Sequence, residues 1–415
     1  MDHQELIPHL FRTEFRKITS VLVKLFGIDH IEVAEDIASD TFLSAFESWS
    51  YKGPPPNPTA WLYSVAKNKA RNYITRENVF SEKIATRLKH ASATSEEIEI
   101  NLSEENITDS QLQMLFALCH PSISLEAQIG LSLRILCGFG IDEIAHAFLS
   151  NKETINKRLS RAKEKLRQEN VKIEFPGEAE ISRRLDAVLR TLYLLFNEGY
   201  YSETDNAILR EDLCFEAIRL AYLLVENPKT NQPAVNALLS LMCFHASRFE
   251  ARKSENGEII LYQDQDENRW NKELIERGAY FLFQASQAGE ISKYHLEAGI
   301  AFWNTQKQDT REKWETILQL YNHLLQIEYS PVAALNRTYA LAKANSKEEA
   351  IREAEKLKLE NNHFYFTLLG ELYLNLDNAK AMQNFRQAFS LAKTNTDKQT
   401  ILKKISELEN KQPKE

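Results

Sequence analysis

The stretch Ile141–Arg167, IDEIAHAFLSNKETINKRLSRAKEKLR, decides how this chain is read. A short apolar-periodic segment, Ile141–Phe148, meets a break at Leu149–Ser150–Asn151. In the segment that follows, Ile155, Leu159, Ala162 and Leu166 recur at helical spacing, so one side of a helix is apolar. Lys152, Thr154, Asn156, Lys157, Arg158, Arg161, Lys163 and Lys165 fill the rest of that helix. A helix-turn-helix recognition helix needs this combination: an apolar seam to seat it and a cationic face for phosphates and base edges. From Lys152 to Lys172 there are eight Lys/Arg against three Asp/Glu in a chain of net charge -8, so the positive charge is concentrated. A solvated amphipathic helix carries the same pattern, and the rest of the chain has to decide between the two.

At 415 residues the chain suggests about two or three domains. Its 43% hydrophobic and 27% charged content is that of a folded globular protein. Glycine and proline are sparse, apolar-periodic segments dominate, and only Glu258–Tyr262 (EIILY) tempts as a strand; the expected fold class is all-α. No run approaches the roughly 18–20 apolar residues of a membrane span. The start, MDHQELIPHLFRTEF, lacks the basic-then-apolar order of a secretory signal, which leads to the expectation of a cytoplasmic protein. Cys119, Cys137, Cys214 and Cys243 are too scattered for a zinc or redox motif and read as reduced core residues.

Charge constrains the function class. Residues 1–172 carry 21 Lys/Arg and 23 Asp/Glu, so a nucleic-acid surface there must be confined to patches. The acidic remainder repels phosphate, which suggests a protein that reaches DNA with a partner. An enzyme is not expected. The ten histidines form no HxxxH or HExxH pair, and GxSxG, GxGxxG and GxxxxGK[ST] are absent. No cofactor and no metal are implied, since Asp264 and Asp266 lack a glycine-anchored calcium loop.

Along the chain, Leu10, Phe15, Ile18, Val21, Leu22, Leu25 and Phe26 form one apolar stripe, with Gly27 as its stop. Val33, Ile37, Phe42 and Phe46 form a second, beside the acidic Glu35, Asp36, Asp40 and Glu47. The prolines of Lys52–Pro58 (KGPPPNP) break the helix, and Thr59 is the expected N-cap of a helix Ala60–Arg76. That helix carries Lys67, Asn68, Lys69, Arg71, Asn72 and Arg76. Trp61 shares its apolar face with Val65 and is read as core. Residues 81–109 are polar and acidic and read as a linker. The expected organisation is therefore 1–80, linker 81–109, a helix-turn-helix domain 110–172, and a helical extension 173–415. In that extension Leu335 and Tyr339 match Leu369 and Tyr373 at an offset of 34 residues, the tetratricopeptide period, and Gly370, Ala381, Phe385 and Ala388 loosely follow that repeat.

Together these residues resemble a known family. AEDIASDTF (Ala34–Phe42), Trp49 and NPTAWLYSVAKNKARNYITRE (Asn57–Glu77) resemble region 2 of an extracytoplasmic-function sigma factor of the sigma-70 family, and Ile141–Arg167 resembles its region 4. LYLLFNEGYYSE (Leu192–Glu203), LCFEAIRLAYLL (Leu213–Leu224), LYQDQDENRWNKELI (Leu261–Ile275) and SPVAALNRTYAL (Ser330–Leu341) resemble the subgroup with a long C-terminal tetratricopeptide-like extension. The resemblance implies binding to the clamp helices of the largest subunit of core RNA polymerase through Glu35, Asp36, Asp40 and Phe42. It implies −10 reading by Lys67, Asn68, Lys69, Arg71, Asn72 and Arg76, and −35 reading by Thr154, Asn156, Lys157, Arg158, Arg161 and Lys163. Cationic groups would meet phosphate while amides reach base edges. The extension's special residues would be Asn197, Glu198, Gly199, Tyr200, Asp264, Gln265, Asp266 and Trp270, with helix caps and turns as the alternative role. No dedicated membrane anti-sigma partner is implied. A helix-turn-helix regulator with a helical-repeat sensor is the competing reading; it leaves Ala34–Glu77 unexplained.

Overall fold

Helices account for every regular element among the described residues. The computed structural model describes residues 3–76, 100–201, 207–252, 260, 262–287, 289–393 and 395–411. Most of Glu258–Tyr262 and of the expected linker lies outside them. The described part of the chain divides into two compact units, Met1–Asn231 and Gln232–Glu415.

The first unit begins with α1 (His3–Phe26), α2 (Ile31–Lys52) and α3 (Pro58–Arg76). Their cores follow from helical spacing: Phe15, Ile18 and Leu22 of α1, Ala34, Ala38 and Ala45 of α2, and Leu62, Ala66 and Ala70 of α3 are buried. The small residues of α2 and α3 admit the rings of Phe11, Phe15 and Phe42, whose centroids lie 4.7–6.4 Å apart. Gly27 ends α1 at φ 89, a conformation costly for other residues. The expected Thr59 cap is corrected. Asn57 Oδ1 accepts from the Ala60 amide at 2.9 Å and Pro58 takes the first helical position, where its missing N–H costs nothing.

The linker also ends earlier than expected. Ile100 and Leu102 are buried, and α4 (Glu104–Leu118) starts at the Ser103 cap. Glu104 and Glu105 resemble linker composition, but they stand in the first helical turn, where acidic groups complement the helix dipole. Next come α5 (Leu125–Leu131), which runs into a π-turn at Ser132–Leu136, then α6 (Ile141–Ala147) and α7 (Lys152–Gln168). Two further helices, α8 (Glu178–Tyr201) and α9 (Ala207–Glu226), complete the unit.

The expected boundary at Lys172 is therefore not where compactness ends. Helix α8 packs on α4 and α5, and α9 packs on α4 and α6. Arg184 Nη2 donates to the Phe116 carbonyl at 2.6 Å, and Thr191 Oγ1 donates to Gln128 Oε1 at 2.9 Å. Helices α4–α6 present more apolar surface than α7 alone covers, and α8 supplies the missing side.

The second unit holds α10 (Pro233–Ala246), α11 (Lys272–Ala285), α12 (Lys293–Trp303), α13 (Arg311–Ile327), α14 (Pro331–Ala344), α15 (Lys347–Lys356), α16 (His363–Tyr373), α17 (Asn378–Leu391) and α18 (Asn395–Lys411). Most pack chiefly on their neighbours in sequence, and α12 packs most on α10. Helices α16 and α17 approach closely because Gly370 has no side chain; a Cβ there would lie 2.5 Å from the Phe385 ring. No described helix is long and apolar enough to cross a membrane.

Candidate nucleic-acid interface

Helices α6 and α7 are joined by a short turn, and α7 carries the cationic residues singled out above. The turn passes through Leu149 at φ 47, and Asn151 Oδ1 caps α7 by accepting from the Thr154 amide at 2.8 Å. Ile155, Leu159, Ala162 and Leu166 are all buried, as their spacing requires. Gly130 lets α5 meet this seam, since a Cβ there would stand 2.9 Å from Leu159 Cδ2. On the outer side Thr154, Asn156, Lys157 and Arg161 are exposed, and Arg158 is half-buried with its guanidinium 5.8 Å from the Phe148 ring centroid. Lys157 pairs with Glu153 at 2.6 Å across one helical turn, an exposed pair that a phosphate can displace at little cost.

Lys163 departs from the set. Its side chain is 11% exposed, and its ammonium lies 3.2 Å from Glu32 Oε1 and 3.3 Å from Glu35 Oε2 of α2. Arg167 also pairs with Glu32. Burial alone would raise the Glu32 carboxyl, but its own backbone hydrogen bond, Lys163 and Arg167 hold it below its usual value. In this conformation Lys163 faces protein, not solvent, because its position on α7 lies next to the buried seam at Ala162 and Leu166.

Helix α2 corrects two further expectations. Phe42 is 5% exposed and belongs to the ring cluster of the core. Glu35 is 8% exposed and ion-paired with Arg134, whose Nε lies 2.8 Å from Oε1. Neither offers a free surface here. Asp36 and Asp40 are exposed, with Lys69 of α3 3.9 Å from Asp40. Leu43, which the sequence does not single out, and Phe46, expected in an apolar stripe with Phe42, are 55% and 60% exposed beside those carboxylates. The signal was available: Asp36, Asp40 and Leu43 share one helical face, whereas Phe42 falls on the opposite one.

On α3, Asn68 and Asn72 are exposed, and Lys67, Lys69 and Arg71 are half-buried. The Arg76 side chain lies outside the described residues. Trp61 packs edge-on to Trp49 at 5.3 Å, in keeping with its reading as core. Tyr63 donates to Glu14 Oε2 at 2.6 Å. Burial and that carboxylate push the Tyr63 phenol well above its usual value, so it stays protonated and tied to α1.

The extension's special residues fall in different units. Asn197, Glu198, Gly199 and Tyr200 lie inside α8, where Tyr200 stacks on Phe196 at 5.7 Å and burial raises the Glu198 carboxyl. In the second unit Asp266 accepts from the Asn268 amide at 3.0 Å, and the Gln265 carbonyl accepts from Lys307. Asp264 is exposed, and Trp270 is buried and stacks on Tyr262 at 6.3 Å. Tyr262 in turn accepts from the buried Lys313 at 3.1 Å. These are caps, turns and packing contacts. Among the described residues no cluster of His, Cys, Asp and Glu could hold a metal ion.

Residues 10–79, which span α1–α3, match sigma-70 region 2. This match covers the N-terminal helices alone. Region 2 of this family implies binding to core RNA polymerase and promoter DNA, and a non-enzymatic sigma-factor role in transcription initiation. Residues 184–286 match a family of unknown function, DUF6596, from α8 of the first unit to α11 of the second. Over 371 residues the chain is 30% identical to "Uncharacterized protein R00370" of Rhizobium meliloti (strain 1021), covering 88% of this chain and 87% of that protein, so the two share a family along most of their length. It is also 32% identical over 78 residues to "RNA polymerase sigma factor YlaC" of Bacillus subtilis (strain 168), which is 19% of this chain and 43% of that protein. No solved structure matches this chain.

Proposed function

We propose that the chain is an extracytoplasmic-function type sigma factor whose long C-terminal helical extension regulates promoter-directed initiation. The observation that carries this reading is the presence of two separate helices with cationic and amide side chains on their outer sides, α3 and α7, in one chain with a region 2 match. The outer face of α2, with Asp36, Asp40, Leu43 and Phe46, fits the polymerase clamp helices, combining apolar anchors with a charged surround. Helix α3 is proposed to read the −10 element through Lys67, Asn68, Lys69, Arg71, Asn72 and Arg76. Helix α7 is proposed to read the −35 element through Thr154, Asn156, Lys157, Arg158 and Arg161, with Lys163 joining once freed. The paired helices α14–α17 and the close Gly370–Phe385 contact favour a tetratricopeptide-like extension. The protein is proposed to act in the cytoplasm and without a dedicated membrane anti-sigma factor.

Run-off transcription with purified core polymerase tests the reading. The double variant Leu43→Asp/Phe46→Asp should lose polymerase binding, since a charge replaces each exposed anchor at a desolvated contact. Undiminished co-elution with core polymerase would remove this face from the interface. Arg158→Ala should lower promoter-specific transcript by about 5- to 150-fold, the equivalent of about 1–3 kcal/mol for one base contact, with polymerase binding intact. Equal loss on all templates would make Arg158 a phosphate or folding residue instead. A helix-turn-helix regulator with a repeat sensor would bind its operator but fail to co-purify with core polymerase.

A further inference from the structure

Helices α13 and α14 border a cavity of about 380 Å³ inside the second unit. Small-molecule sites run to about 300–1,000 Å³, so the space suits a ligand larger than a bare ion. Trp314 forms one wall and packs edge-on against Tyr339 at 5.4 Å, while Asp309, Thr310, Arg311 and Lys343 supply the polar lining. The lining carboxylate is already in use: Trp314 Nε1 donates to Asp309 Oδ1, and Lys343 Nζ donates to Oδ2 at 2.9 Å. The Trp314 hydrogen bond first, then Lys343 and Lys313, hold the Asp309 carboxyl below its usual value against the opposing effect of burial. Thr310 Oγ1 accepts from the Lys313 amide at 3.3 Å, which leaves its own proton to donate. Two further carboxylates, Glu315 and Glu349, are tied to the rim by Arg311 Nε at 2.7 Å and Asn345 Nδ2 at 3.1 Å.

We propose that this cavity binds a small organic anion, a carboxylate or a phosphate ester. Donors outnumber acceptors there. Lys343 gives one of its three N–H groups to Asp309, and Arg311 gives its Nε–H to Glu315, so the other Lys343 donors and the Nη groups of Arg311 remain for a ligand. The Arg311–Glu315 pair is exposed and yields to a better partner at little cost. Charge points the same way. Lys313 is 1% exposed, and its ammonium lies 5.3 Å from the Trp314 ring centroid. Burial holds that ammonium below its usual value, with Asp309 opposing and Lys343 and Arg248 adding to the effect. Three cations, Arg311, Lys313 and Lys343, therefore meet one lining carboxylate, in a chain of net charge -8. Trp314 and Tyr339 position Lys343, their ring centroids lying 5.8 and 6.0 Å from its ammonium. A bound anion bridges Lys343 of α14 to Arg311 of α13 and relieves the excess positive charge.

Titration calorimetry of the full-length chain at constant ionic strength tests this, with succinate and glycerol 3-phosphate as probes and glycerol as the uncharged control. At least one anion should bind at millimolar concentration or below, and glycerol should not. The two anions tell a carboxylate from a phosphate ester as the preferred head group. Arg311→Ala/Lys343→Met should weaken that binding by about ten-fold or more, the loss expected for charged hydrogen bonds. Lys380→Met, which removes an exposed cation of α17, should bind as the wild type does. In hydrogen exchange the bound probe should protect α13 and α14 of the wild-type chain and leave α17 unchanged, a measurement that needs no variant to fold. Absence of binding by both anions, equal binding of glycerol, equal loss in Lys380→Met, or protection away from α13 and α14 would overturn the proposal. Binding here is independent of the roles proposed for α3 and α7. A chain that binds the anion yet fails to initiate transcription overturns the sigma-factor reading alone.

Discussion

A chain ended at Lys172 is expected to lose its cooperative thermal transition and to aggregate, while a chain ended at Asn231 keeps both solubility and a sharp melt. The first truncation follows the boundary that composition and resemblance suggest; the second follows the boundary of the compact unit. The difference is α8 and α9. Leu185, Val188, Leu189, Leu192, Leu195 and Phe196 of α8 are at most 2% exposed, and the helix lies on α4 and α5. At about 1.5–3 kcal/mol for each fully buried side chain of this size, the burial is on the order of ten kcal/mol. Deleting α8 and α9 removes that term and also leaves the facing apolar surface of α4 and α5 in water. The loss is comparable with the whole stability of a typical domain, about 5–15 kcal/mol. Circular dichroism melts of the two truncations check the point. A Lys172-terminated chain that melts cooperatively within a few degrees of the Asn231-terminated one would contradict it. The consequence for function is direct: lost open-complex formation after truncation at Lys172 reports unfolding of α4–α7 before it reports a missing regulator.

Phe385→Ala is expected to destabilise the C-terminal unit by about 3–5 kcal/mol, the usual range for deleting a buried ring from a packed core. Phe385 is fully buried among Ala381, Ala388, Ala392, Ile401 and Leu408. Its ring also lies against the bare Cα of Gly370. The small residues around it cannot relax into the space, so most of the cavity persists. Gly370→Ala attacks the same contact from the other side by overfilling it, for which about 1–3 kcal/mol is expected. Hydrogen exchange should show both losses in α16–α18 and leave the protection of α1–α3 unchanged. Protection of α16–α18 at the wild-type level in Phe385→Ala would mean that the α16–α17 contact does not stabilise this unit.

Much of the architecture is legible because helical periodicity is strong and local. Ile155, Leu159, Ala162 and Leu166 declare the buried side of α7 without knowledge of what covers it. Asn151 and Gly27 mark helix ends through backbone chemistry confined to a few residues. Errors arose where composition and geometry diverge. Glu104–Asp109 reads as linker by charge yet forms the first turns of α4, since acidic residues suit both solvent and a helix N-terminus. Phe42 stands near Asp36 and Asp40 in sequence, although the 100° step between residues turns it inward and Leu43 outward; Phe46 shares the stripe of Phe42 yet is 60% exposed.

By itself the sequence determined the all-helical class, the two helices within Ile141–Gln168 and the concentration of cations on the second of them, because each depends on residues within a few turns of one another. Only the tertiary structure decided that Lys163 and Glu35 face each other, that Glu216 joins two bundles, and that the first compact unit runs on to Asn231. Those facts depend on side chains more than a hundred residues apart in the chain meeting at one place, and no local period or propensity records such a meeting.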